Sequence, residues 1–346
     1  MPVMSEKPLI SFVLVTYNQE QYIRESMASV LAQTYSPLEI IVSDDCSPDR
    51  TFEIIQEMAA AYQGPHKLIL NRNNKNLMIC GNFNRALELA HGELIVGGAG
   101  DDISLPHRCA RIAEEWLKPG RRWHSICSNA EIIDESGVRQ GVYQKLETYR
   151  EIGSVDQILA SGIVGISGCT HAFSRKTYEV FGPIDEQSLG EDDQIGFRSL
   201  ILGGVCWIPE RLVLYRRHSE NSFNNASDFK KVQKARRQQL MEKYYQDTLR
   251  GVQTRNEVLR LAAQKGILTS EQAEHCVAAL RHSFPLLQFM VYYNKQWSLA
   301  LRGLLRAVFT GQYRSSMFSR FEQDHCPTGL RQFLRFCRNP FRPKRQ

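Results

Sequence analysis

Three short apolar runs, Leu9–Val15, Leu38–Ser43 and Glu93–Val96, each give way at once to polar or Gly-rich residues, and segments of helical period lie between them. A nearly continuous apolar run of strand length suits a strand covered on both faces. Within Glu20–Gln33, Tyr22, Ile23, Met27, Val30 and Leu31 recur at helical spacing, with Arg24 and Glu25 off that stripe. Strand, helix and strand in so short a span predict a right-handed crossover between parallel strands. An amphipathic segment over Thr51–Tyr62, a strand over Lys67–Leu70 and a helix from about Asn82 to Ala90 continue the alternation. The expected fold class is therefore α/β, with its ligand crevice at the carboxyl ends of the strands.

What lies at those ends is acidic and Asn-rich: Thr16-Tyr17-Asn18, Asp44-Asp45-Cys46-Ser47, Asn71-Arg72-Asn73-Asn74 and Gly97-Gly98-Ala99-Gly100-Asp101-Asp102. Two adjacent carboxylates on a strand end suit a hard cation. Asp101 equally suits the role of cap for a helix starting near Pro106. A second acidic group, Glu191-Asp192-Asp193, opens a predicted helix, where acids also complement the helix dipole. There is no Gly-x-Gly-x-x-Gly after the first strand and no Gly-x-x-x-x-Gly-Lys loop. A nucleotide must then be held by acids, Asn side chains and a metal, which favours a nucleotide sugar over NAD or ATP.

The 346 residues carry a net charge of +6 that is unevenly spread, −9 over 1–228 and +15 over 229–346. The division predicts two regions, an acidic domain over 1–228 and a basic, mainly helical region over 229–346. Nine scattered cysteines without a Cys-x-x-Cys pair, an N-terminus without the pattern of a secretory signal, and no long uncharged apolar run predict a reduced, cytoplasmic chain with no membrane-spanning helix. In the basic region, Lys230–Leu249 is highly charged and Glu257–Gln264 reads as a helix stopped by Gly266. Thr269-Ser270-Glu271-Gln272 reads as a capping box. Apolar and Arg residues segregate over Trp297–Phe309 and again around Phe333–Arg345. Such faces suit an anionic membrane surface, giving a peripheral location on its inner side, or packing on the acidic domain. No nucleic-acid motif accompanies them.

The succession Val15-Thr16-Tyr17-Asn18, Val42-Ser43-Asp44-Asp45-Cys46-Ser47, Asn82-Phe83-Asn84-Arg85-Ala86, Ala90-His91-Gly92-Glu93 and Gly100-Asp101-Asp102 resembles the family 2 glycosyltransferases of the GT-A fold. The resemblance covers about residues 8–225. It implies a Rossmann-like mixed sheet flanked by helices, with the C-terminal helices as an appendage. It also implies an inverting enzyme that moves a sugar from a nucleotide donor, usually a UDP-sugar, with Mg²⁺ or Mn²⁺ bridging the diphosphate. The acceptor expected is a hydroxyl of a glycan, a lipid-linked glycan or a protein, in surface polysaccharide synthesis.

Residue by residue, the resemblance assigns Thr16, Tyr17, Asn18, Asp45, Asn82 and Asp101 to the nucleotide, Asp45 being the acid that meets uracil. Asp101 and Asp102 match the metal motif, whose leading acid is here Ala99. Arg216-Arg217-His218-Ser219-Glu220-Asn221-Ser222 resembles the segment closing the catalytic domain, whose His reaches the metal or the diphosphate, which makes His218 a third metal ligand; the charges of Arg216 and Arg217 suit, as an alternative, steering of the anionic donor. Asp192 matches the catalytic base, with Glu191 beside it and Asp193 as its substitute if the register slips by one. Two other functions compete: a nucleotidyltransferase, for which the early basic Gly-rich loop is absent, and a non-catalytic scaffold in which Ala99 marks a retired site.

Overall fold

A computed structural model describes residues 7–120, 122–143, 150–152, 166–188, 190–219, 221, 250–251, 253–278 and 280. The first part is the predicted alternation: β1 (Ile10–Thr16), α1 (Ile23–Leu31), β2 (Leu38–Asp44), α2 (Thr51–Ala61), β3 (Lys67–Arg72), α3 (Met78–Leu89) and β4 (Leu94–Ala99). Strands β5 (Ile103–Ser104), β6 (Ser125–Ile133), β7 (Arg139–Tyr143), β8 (Arg150–Ile152), β9 (His171–Ser174) and β10 (Val205–Arg216) follow, with helices α4 (Arg108–Trp116), α5 (Lys176–Phe181) and α6 (Glu191–Leu202) among them. One mixed sheet results, ordered β3-β2-β1-β4-β9-β6-β10-β5, with β7 on β6 and β8 on β10. The β3-β2-β1-β4 part is parallel, and β9 joins it to β6 by antiparallel pairing on both sides. This is the GT-A arrangement that the sequence predicted.

Alternation along β1 explains why its run is apolar on both faces. Ile10, Phe12 and Leu14 belong to one core with Ile23, Met27 and Val30 of α1, Ile54 and Ile55 of α2, and Ile112 of α4. Val13 belongs to the other, with Ile41, Ile95, Phe83 and Leu87 of α3, and Ile195 of α6. Each such side chain contributes about 1.5–3 kcal/mol on burial, so β1 is fixed from both sides and its end is a stable base for a site.

Two local expectations change. The Gly-rich turn predicted to start at Gly97 starts after Ala99, because β4 continues through Gly97 and Gly98. A side chain at Gly98 would stand 2.7 Å from Phe12 Cε1, so glycine lets the strand run on over that ring. Helix α4 begins at Arg108 with no side-chain cap, so Asp101 does not cap it. Trp207 and Leu212 lie on one strand, β10, which carries register shifts between Ile208 and Val213.

Residues 253–264 and 270–278 are helical. Gly266 stops the first at φ 68°, and Thr269 and Gln272 exchange the two capping bonds, 2.9 and 3.1 Å. Residues 250–276 belong to the same compact unit as the sheet. The expectations for Lys230–Leu249, Trp297–Phe309 and 331–345, including a membrane-facing helix, fall outside the described residues. No helix among the described residues is long and apolar enough to cross a membrane.

Candidate active site

The ends of β1 and β2 build the first wall. Thr16 closes β1 and its hydroxyl donates to Gln19 Oε1 at 2.8 Å. Asn18 then turns the chain at φ 56°, its N–H donating to Ser47 Oγ at 2.9 Å, and the side chain of Tyr17 is left exposed. Asp45 follows β2, its N–H bonded to the Thr16 carbonyl at 3.0 Å. Its buried carboxylate accepts from Asn73 Nδ2 and from the Leu77 N–H, both at 2.8 Å on Oδ1. Asn82 stands behind it. The Asn82 Oδ1 accepts from Ser43 Oγ and Asn73 Nδ2, and its Nδ2 donates to the Ser43 carbonyl, so this amide ties Asp45 and β2 together through Asn73.

Gly100 brings the acidic pair against this wall. Its N–H bonds the Val15 carbonyl, and a Cβ there would lie 2.6 Å from Thr16 Oγ1, an approach only glycine permits. Asp101 and Asp102 are both buried. Asp101 Oδ2 lies 3.0 Å from His218 Nε2 and accepts from Asn221 Nδ2 at 3.3 Å, while Asp102 Oδ1 accepts the Arg216 N–H at 2.9 Å. The His218 ring packs on Tyr22, with centroids 4.8 Å apart. Burial, and then the charge of Asp101, push the Asp102 carboxyl well above its ordinary range. Two carboxylates and an imidazole are a donor set suited to Mg²⁺ or Mn²⁺, and a cation would relieve the repulsion that raises Asp102. Among the described residues, no three acidic, His or Cys side chains already stand in ligating array.

Arg216 has a different place from the donor-steering one expected. It is 1% exposed, and its guanidinium donates to the carbonyls of Asp101 (3.0 Å), Asp134 (3.3 Å) and Glu135 (3.0 Å) and to the Glu25 carboxylate. It is a strut under the Asp101 loop. Arg217 is exposed.

The second acidic group starts α6, and its three members differ. Asp192 Oδ2 accepts the Gly168 N–H at 3.0 Å and its Oδ1 accepts the Asp193 N–H at 2.8 Å. Glu191 fits because Gly168 has no side chain: a Cβ there would stand 2.5 Å from Glu191 Oε1. Burial, then the charge of Asp192, raise Glu191 to about 8, and burial, then the charge of Asp193, raise Asp192 to about 6. Near neutral pH, Glu191 therefore keeps its proton and Asp192 is ionised but ready to accept one. Asp193 is engaged elsewhere, both of its oxygens 2.5 Å from Arg255 Nη2. The turn Gly168–Thr170 binds the second group through the Gly168 N–H to Asp192, and the Cys169 thiol is pushed up by burial and by the charges of Asp102 and Asp101.

A model of the family described as Glycosyl transferase family 2 matches residues 11–181, which hold β1 to β4, the acidic pair and the 168–170 turn. The chain belongs to glycosyl transferase family 2. This family 2 chain is 28% identical over 218 residues to an uncharacterised Mycobacterium tuberculosis protein, the match covering 63% of the chain and 61% of that protein. It thus spans about three fifths of the length of that curated relative. It is 37% identical over 105 residues to the putative colanic acid biosynthesis glycosyl transferase WcaA of Escherichia coli, covering 30% of the chain and 37% of WcaA.

In fold, the family 2 chain is similar to Staphylococcus aureus TarS 1–349 in complex with UDP-GlcNAc, with TM-score 0.53 and 16% identity, over 88% of this chain and 92% of that one. It is also similar to the mannosyltransferase PcManGT of Pyrobaculum calidifontis in complex with GDP-Man and Mn²⁺, with TM-score 0.52 and 14% identity, over 96% and 87%.

The roles of four residues of this family 2 site were not legible in the sequence. Asn73 positions Asp45. Arg108 is fully buried beneath the pair, donating to Gly97 O at 2.7 Å and Ser104 Oγ at 2.9 Å, and its charge opposes the rise of Asp102. Gly168 seats Asp192, and Arg255 pairs with Asp193. Two of them left a signal: Asn73 as part of the Asn-rich end of β3, and Arg108 as a cation inside the apolar stripe of α4.

Proposed function

We propose that the chain is an inverting glycosyltransferase that passes a sugar from a nucleotide donor, a UDP-sugar, to a hydroxyl of a glycan, lipid-linked or protein acceptor in surface polysaccharide synthesis. The catalytic domain over 1–228 then works together with residues 250–276 of the same compact unit, and accessory functions fall to the rest of the basic region. The polysaccharide context is supported by the similarity to WcaA, and the nucleotide-sugar donor by the UDP-GlcNAc complex of TarS and the GDP-Man complex of PcManGT.

The observation that carries the reading is the contrast between the two acidic groups. Asp101 and Asp102 are buried side by side, with Asp102 raised by burial and by the charge of Asp101, whereas Asp192 is held by the N–H groups of Gly168 and Asp193 and raised to about 6. Asp102, Asp101 and His218 would hold Mg²⁺ or Mn²⁺, which when bound offsets the charge building on the departing diphosphate oxygen. Thr16, Tyr17, Asn18 and Asp45 line the nucleotide side, and Asn82 fixes Asp45. Asp192 takes the acceptor hydroxyl proton as the new bond to the anomeric carbon forms and the bond to diphosphate breaks. Attack from the face opposite the leaving group inverts that carbon. Glu191 stays protonated beside the base, and Asp193, paired with Arg255, sets the local charge.

The test is a thermal-shift screen against UDP-glucose, UDP-N-acetylglucosamine, UDP-galactose and GDP-mannose, with and without Mn²⁺, followed by nucleoside diphosphate release and the anomeric configuration of the product. A Mn²⁺-dependent shift and an inverted product are expected. Pyrophosphate release, or no shift with any donor, contradicts the reading.

A further inference from the structure

The proposed base lies within three carboxylates in a row, an arrangement that by simple repulsion should keep Asp192 protonated. The answer comes from outside the family-matched region. Arg255, near the start of the helix 253–264, places Nη2 2.5 Å from both oxygens of Asp193, and its guanidinium lies 5.7 Å from the centre of the Phe197 ring, one helical turn further along α6. A second anchor stands beside it. Arg250 Nε and Nη2 bind Asp185 at 2.6 and 2.8 Å and Thr254 Oγ1 adds a bond at 3.1 Å, while the Asp185 N–H donates to Gln194 Oε1 of α6 at 3.0 Å. Arg250, Thr254 and Arg255 thus grip the start of α6 at two points.

We propose that Arg255 is a positioning residue for Asp192: by pairing with Asp193 it offsets part of the charge next to the base and fixes the helical turn that presents it. This rests on the reading of Asp192 as the base. Among the described residues, Cys80 of α3, Cys127 of β6 and Tyr143 of β7 feel the charge of Asp192, and all are pushed up by burial and therefore neutral near pH 7. Its own helix contributes Glu191, protonated near pH 7, and Asp193. The charge state of the Asp193–Arg255 pair is then the lever on Asp192.

The experiment needs no sugar donor. In the full chain carrying aspartate labelled with ¹³C at the carboxyl, the Asp192 resonance is the one lost in Asp192→Asn, and its midpoint is followed by NMR titration. Arg255→Gln should raise that midpoint by about one unit, the size expected for an adjacent, partly screened charge. Arg255→Lys should leave it near the wild-type value, and Arg255→Gln with Asp193→Asn should bring it back. Asp193→Asn alone should lower it, which keeps the idea testable if Arg255→Gln folds poorly. A midpoint unmoved in both Arg255→Gln and Asp193→Asn overturns the proposal. The base reading fails separately, through undiminished transfer by Asp192→Asn.

Discussion

Replacing Arg216 with methionine keeps most of the buried stem but removes every hydrogen bond its guanidinium makes. Three carbonyls, those of Asp101, Asp134 and Glu135, lose their donor. A buried acceptor left without a partner costs about 1–3 kcal/mol, and the loop edge admits some water, so about 1 kcal/mol each is appropriate. Glu25 is 61% exposed and rehydrates, adding little. The lost stacking on Tyr22, 5.0 Å from the guanidinium, adds up to about 1 kcal/mol. The total, about 3–4 kcal/mol, lowers Tm by roughly 4–7 °C for a chain of this size. Because Asp101 is on the released loop, a displacement near 1 Å should also cost on the order of 100-fold in kcat/KM. Thermal melts beside steady-state kinetics check both, with Arg217→Met as the exposed neighbour that should melt like the wild type. Native melting of Arg216→Met, with the loss confined to the KM for donor, would refute the strut and restore a steering role.

Other consequences concern the acids and the glycine contact. Glu191 is raised in the folded protein to about 8, so its contribution to stability is full below its ordinary pKa and is lost as pH rises through about 8. Glu191→Gln should therefore melt higher than the wild type at pH 8.5, by about 1–2 kcal/mol after allowance for partial exposure, and alike at pH 4.5; a difference that grows on acidification contradicts this. Gly100→Ala puts a methyl group 2.3 Å from Gln19 Oε1 and 2.6 Å from Thr16 Oγ1. It should cost about 1–3 kcal/mol in urea denaturation and at least about tenfold in turnover, since the acidic pair must move off β1.

The legible half of the fold is the half whose strands are apolar on both faces. β1, β2 and β4 announce themselves because each packs against helices above and below. The sequence pattern does not mark β6 and β9, because their inward residues include Ser125, Ser128, Asn129 and His171. These polar groups are satisfied across the chain: Ser125 Oγ lies 2.7 Å from His171 Nε2 and donates to Ser199 Oγ at 2.6 Å, and Asn129 donates to the Pro209 carbonyl at 2.7 Å. Burial lowers His171 to about 3, so it stays neutral inside the sheet. A periodicity argument cannot see partners 46 and 74 residues away.

The site divides the same way. Acids at strand ends are visible because charge at the end of an apolar run is conspicuous. What orients them is not: Arg216 reads as a surface cation beside Arg217 until the sheet buries it. Asn82 reads as a ligand-facing amide until Ser43 and Asn73 are seen to occupy it. Arg255 lies 62 residues from the acid it pairs with, beyond the stretch that resembles the family.

The claim that two carboxylate groups divide the work is tested most directly by calorimetric titration of UDP in the presence of Mn²⁺ into Asp192→Asn and Asp102→Asn side by side, with turnover measured on the same samples. Asp192→Asn should bind like the wild type and transfer no sugar, whereas Asp102→Asn should lose the Mn²⁺-dependent part of binding. Transfer by Asp192→Asn at the wild-type rate, or Mn²⁺-dependent binding undiminished in Asp102→Asn, would contradict the division.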